Sequence, residues 1–158
     1  MMAEGCQARI GCTALATVVT VDDIDRNLEV RVVRVFTRDG QGGNHLGIHQ
    51  GLLPDADMQD LAGELAYSET IFVDRPDDDR VVPVRIFTPS AELPFAGHPL
   101  VGATWYLAAP GASAQVRCGI GVVTGHRADD DSASIEVTYL PPVERTDVPG
   151  TVLSLIHI

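Results

Sequence analysis

The chain has no lysine. Its 11 basic residues are all arginine, set against 22 acidic ones, and the formal charge is −11. Without lysine there is no Schiff-base chemistry and no phosphate loop of the kind that depends on one. So few positive charges argue against nucleic acid or an anionic membrane as partner, because both repel such a surface. Cysteine is scarce as well: Cys6, Cys12 and Cys118 are odd in number and match neither a metal knuckle nor a CxxC pair. That pattern predicts a reduced, cytoplasmic setting. No stretch approaches 18 uninterrupted apolar residues, so no membrane span is predicted. The segment from Met1 to Ala16 lacks the basic start and apolar core of a secretory signal.

What is present fits one globular domain. The 158 residues are 45% hydrophobic and 21% charged, enough for a core of their own. Residues 1–29 show no sustained period and read as an extension or a misassigned start. The body, 30–145, opens with the β-branched strand Val30–Phe36, followed by a glycine-rich loop from Arg38 to Asn44. His45 to His49 suit a short strand. Pro54 and Asp55 introduce a helix with Met58, Leu61, Ala62 and Leu65 at helical spacing. Strands follow at Glu69–Val73 and Val84–Phe87, separated by an acidic turn. His98 to Ala108 is apolar on nearly every face, which predicts a buried helix. Further strands are expected near Gln115–Thr124 and Ala133–Leu140, with a turn at Gly125–Asp131. The pattern predicts an α+β fold in which a curved mixed sheet wraps a central buried helix.

Three places offer chemistry. At Phe95-Ala96-Gly97-His98-Pro99, Pro99 suits the first turn of a helix and Gly97 lets a ligand approach the backbone. Helix-start N–H groups there would suit a small carboxylate, with His98 at the mouth to donate a hydrogen bond or move a proton. A plain buried helix start explains the same text. At Tyr67-Ser68-Glu69-Thr70, a Glu69 carboxyl withdrawn from water at the head of an apolar strand would give and take a proton near neutral pH. A solvent-facing strand-end Glu is the alternative. At Gly40-Gln41-Gly42-Gly43-Asn44, Gly43 and Asn44 could line a ligand, though a hairpin turn accounts for the glycines. No metal is expected: His45 and His49 lie four apart on a predicted strand, too far separated for one ion. Arg117 adjoins Cys118, but strand neighbours face opposite ways, so the thiol should not be activated.

In their order these segments resemble the phenazine-biosynthesis isomerase (PhzF-like) family, with its diaminopimelate-epimerase-type fold. The matching text is Val35-Phe36-Thr37, Gly43-Asn44, Tyr67 to Val73, Val84 to Pro89 and Glu92 to Pro99. The resemblance runs from about Arg31 to Val143. It implies a cofactor-independent isomerase that moves a proton between carbons of a small carboxylate substrate. Glu69 matches the family's general acid/base and His98 a histidine that assists it. Asn44, Gly43, Gly97 and Pro99 match the substrate-binding shell. The resemblance departs in three ways. His45 replaces the proline that usually follows Gly-Asn. Only the first of two similar halves is matched, so an acidic partner from the second half is expected elsewhere. Residues 146–158 do not look like the family, and Val152–Ile158 resembles translated sequencing adapter, so a truncated reading frame is the expectation. An open inter-half face makes a homodimer an expected partner state. A non-catalytic carboxylate-binding module or an inactive fragment are the other readings.

Overall fold

The computed structural model describes residues 8–13, 15–23, 28–39, 41–130 and 132–137, the first two stretches as backbone only. The β-branched run at Val30 becomes the middle of a longer strand, β3 (Leu28–Arg38). Strands β1 (Ala8–Thr13) and β2 (Leu15–Asp23) precede it. Thereafter come β4 (Gln41–Gln50), α1 (Asp55–Leu65), β5 (Glu69–Val73), β6 (Val82–Phe87), β7 (Glu92–Leu93), α2 (Gly97–Leu107), β8 (Ser113–Cys118), β9 (Gly121–Arg127) and β10 (Ser132–Val137).

The strands form one mixed sheet in the order β1-β10-β9-β8-β6-β5-β4-β3-β2, with β7 alongside β6. Pairings are antiparallel except β4 with β5 and β6 with β8. Each parallel pair is joined through a helix, α1 or α2, as a parallel connection requires. The sheet curls around α2, which packs against β1, β3, β4, β5, β8, β9 and β10. This is the α+β arrangement expected from the sequence.

Alternation along the strands sorts two apolar clusters onto the two faces. Val33 and Val35 of β3, Leu46 and Ile48 of β4, Ile71 and Val73 of β5, and Val84 and Ile86 of β6 point inward to Leu100, Val101 and Ala103 of α2. Val30, Phe72 and Phe87 point outward, where Met58, Leu61 and Ala62 of α1 cover them. Burial of each such side chain contributes about 1.5–3 kcal/mol. α1 starts after Pro54 and ends at Ala66, which adopts φ 52° and returns its N–H to the Ala62 carbonyl at 3.2 Å. α2 sits close to the sheet because it presents glycine: a Cβ on Gly102 would strike the side chains of Leu46 and Val35.

Several expectations need correction. Residues 1–29 hold two strands, whose alternation is blurred by small residues. The glycine-rich stretch is mostly strand: β4 begins at Gln41, so only the connection near Asp39 turns. Backbone pairing, which glycine does not prevent, carries this segment. The single strand expected over Gln115–Thr124 is a hairpin, β8 and β9, turning at Gly119 and Ile120. Accordingly β9 runs to Arg127 and the turn after it is shorter than expected. β10 covers the expected strand as far as Val137; its expected remainder and the tail at 146–158 lie outside the described residues.

Candidate active site

Parallel pairing of β4 and β5 sets Leu46 beside Glu69, so the start of β5 lies next to the early part of β4. Glu69 belongs to the inward-facing set that continues through Ile71 and Val73, and therefore faces α2. The first turn of α2 meets it there. His98 Nδ1 and Glu69 Oε2 share a hydrogen bond of 2.7 Å, and the two side chains are only 10% and 18% exposed. His98 Nε2 donates to the Asn44 carbonyl at 3.3 Å. Since a carbonyl can only accept, Nε2 carries a hydrogen, and the 2.7 Å contact holds one further proton between Nδ1 and Oε2.

Asn44 is fixed from a second side. Ser68 Oγ donates to Asn44 Oδ1 at 2.8 Å, which leaves the amide hydrogens of Asn44 as donors. Gly43 precedes it with φ +80°, and a Cβ there would lie 2.7 Å from Thr37 Cγ2 and 2.9 Å from the Val35 carbonyl. Glycine is thus required at this point of the β3–β4 pairing. Gly97 and Pro99 form the first turn of α2. Ala96 precedes the helix in an extended conformation with no side-chain cap. The Gly97 and His98 N–H groups therefore sit at the positive end of a helix whose own first-turn bond runs from Leu100 N–H to the Ala96 carbonyl.

The sequence reading missed Phe36. It has φ 64°, rare for a bulky residue, and its ring lies 5.9 Å from that of His98. The unusual backbone turns an aromatic wall towards the histidine, and no residue pattern announces it. The reading also missed the arginine hub beside the loop that leads to α2. Arg85 bonds Glu92 through two nitrogens and Asp55 through a third, tying β6, β7 and the start of α1 together. The Glu92 carboxylate first, and Asp55 next, hold its guanidinium more firmly protonated than usual.

The remaining candidates lead elsewhere. His45 stacks on Tyr67 and accepts from Arg34 Nε, while His49 Nδ1 donates to the Glu29 carbonyl at 2.9 Å. Arg117 pairs with Asp77 at 2.7 Å rather than serving Cys118. Among the described residues no helix is long and apolar enough to cross a membrane.

The model of the family described as phenazine biosynthesis-like protein (PhzC-PhzF) matches residues 33–155. The chain belongs to that family. An uncharacterized isomerase of Pasteurella multocida is 43% identical over 79 residues, which cover 48% of this PhzC-PhzF chain and 27% of the relative. A trans-2,3-dihydro-3-hydroxyanthranilate isomerase of Pseudomonas fluorescens is 54% identical over 50 residues, 32% of this chain and 18% of the relative. The PhzF-family phenazine biosynthesis protein of Bacillus anthracis superimposes with a TM-score of 0.54 at 27% identity, over 61% of this chain and 34% of that one. These matches thus span about a sixth to a third of the relatives' own lengths.

Proposed function

We propose that this PhzC-PhzF chain carries the acid/base half of an isomerase site that moves a proton between carbons of a small carboxylate. Glu69 is the group that takes the proton and returns it. The single observation behind this is the 2.7 Å contact of Glu69 with His98, whose side chains are both nearly buried. His98 holds Oε2 and buffers charge: as Glu69 gains a proton from substrate, the shared proton shifts towards Nδ1. The C–H electron pair moves along the substrate's unsaturated carbons, and the proton is returned at a second carbon. No electrons leave, so the reading calls on no cofactor. The substrate carboxylate is held by the Gly97 and His98 N–H groups and by the Asn44 amide. The relatives' names, isomerases in both cases, support the reaction class.

The test is Glu69→Gln in the full-length protein, which keeps size and hydrogen bonding but cannot accept the proton. Turnover should fall by about 10²–10⁴-fold while carboxylate ligands still bind. Unchanged turnover rejects Glu69 as the base. Ligand binding by the unaltered protein, with no exchange of ligand C–H protons in heavy water, favours a binding module instead.

A further inference from the structure

The β8–β9 hairpin ends against the segment that delivers His98. Its turn is Gly119-Ile120, and a Cβ on Gly119 would lie 2.7 Å from Pro94 Cα, 2.8 Å from Pro94 Cβ and 3.0 Å from the Pro94 carbonyl oxygen. Gly119 does not have a positive φ, so its backbone conformation does not call for glycine. What the position excludes is a side chain, because the backbone of Pro94 fills the space. Gly121, in the same turn, is the opposite case: its φ is +117°, and a Cβ there would meet nothing within 4 Å.

The two sides of the Gly119–Pro94 contact are anchored unequally. The hairpin is held by the ladder from the Ser113–His126 pair to the Cys118–Gly121 pair, and Cys118 and Ile120 pack on the inner core. On the other side, β7 is fixed as far as Leu93 by its pairing with β6 and by the bonds of Glu92 to Arg85. Pro94, Phe95 and Ala96 then cross to α2. Among the described residues, the one backbone bond of these three runs from Leu100 N–H to the Ala96 carbonyl, at 3.4 Å. Their position therefore rests on packing, and Gly119 is what Pro94 packs on. Ordinary carbon contacts are about 3.5–4.0 Å, so a side chain at 119 would have to push its neighbour by about 0.8 Å. The side with fewer bonds yields. His98 follows in the first turn of α2, where the same displacement would open its 2.7 Å contact with Glu69 Oε2 to the limit of a hydrogen bond.

We infer that Gly119 is a positioning residue. Its bare backbone seats Pro94 and, through the segment from Pro94 to Gly97, sets His98 at hydrogen-bond distance from Glu69. The inference rests on the Glu69–His98 reading for its effect on turnover, while the contact itself is measured without turnover.

The 158-residue chain labelled with ¹⁵N-histidine tests it through the proton shared by His98 Nδ1 and Glu69 Oε2. Both side chains are nearly buried, so this proton should give a separate signal far downfield. Gly119→Ala should abolish that signal or move it upfield. The ring signals of buried His49, on another part of β4, should stay in place and show that the variant folds. Gly121→Ala strains the same turn without touching Pro94, and should leave the His98 signal where it is. Pro94→Gly removes the Cβ that rests on Gly119 and frees the backbone, so it reads the contact from the other side and should broaden or abolish the signal. In the full-length protein, Gly119→Ala should lower turnover by about 10–10²-fold. A lost signal with unchanged turnover upholds the positioning and rejects the Glu69 reading. The inference is overturned if Gly119→Ala or Pro94→Gly keeps the signal unchanged, or if Gly121→Ala loses it equally, since the integrity of the hairpin and not the Pro94 contact would then set His98.

Discussion

Two residues of the site hold backbone conformations their neighbours dictate. Phe36, at φ 64°, and Gly43, at φ +80°, flank the Val35–Asn44 pair, so the strand crossing that carries Asn44 is tightly turned on both sides. Gly43→Ala should therefore cost about 1–3 kcal/mol, through both the positive φ and the contact with Thr37 and the Val35 carbonyl. Urea unfolding of the two forms measures it. Asp77 offers a contrasting case. The Val81 N–H, and then Arg117 and the Asp79 N–H, hold its carboxyl below the usual value against an opposing effect of burial. A depressed value in the folded state gives stability present above pH 4 or so and lost as pH falls through the folded value. Asp77→Asn should lower stability at neutral pH, leave strongly acid pH little affected, and so flatten the acid limb of the stability curve, as thermal melts across pH would show. The acidic stretch at the β9–β10 turn has a similar role: the Asp130 carboxyl is lowered by the Ser132 hydroxyl and then its N–H, and so shapes the turn as well as meeting solvent.

At the scale of elements, legibility followed the strength of the period. α1 showed its apolar positions at helical spacing, and α2 was apolar all round, which marks a buried helix. β5 and β6 were β-branched and bounded by polar turns. β1 and β2 had no such pattern, and the turn at Gly119 and Ile120 was too apolar to separate β8 from β9. The stretches that carry Asn44, Glu69 and His98 stood out as separate candidates in the sequence, but only the resemblance joined them into one site. Glu69 and His98 lie 29 residues apart, and nothing in local spacing foretells that a parallel pairing and a helix start will bring them to 2.7 Å. The central helix also sets the cost of core changes. Leu100 is fully buried, so Leu100→Ala should destabilise by about 2–5 kcal/mol, whereas Leu52→Ala, 43% exposed, should change stability by less than about 0.5 kcal/mol. Chemical denaturation distinguishes the two; similar costs would mean that α2 is not the centre of the core.

For the whole molecule, the decisive fact is how the sheet's two edges are connected. β1 and β2 occupy opposite ends of the strand order, yet a single residue separates them in sequence. The chain itself stitches the curl shut around α2. β1 has β10 as its partner, with Ala8 opposite Val137. During synthesis, the first described strand must therefore wait for the last. At about 5–20 residues per second, that wait is roughly 6–26 seconds, during which β2 can already dock on β3 while β1 is left without its ladder. The enclosure of α2, and with it the bottom of the Glu69–His98 site, can be completed only once β10 has been made.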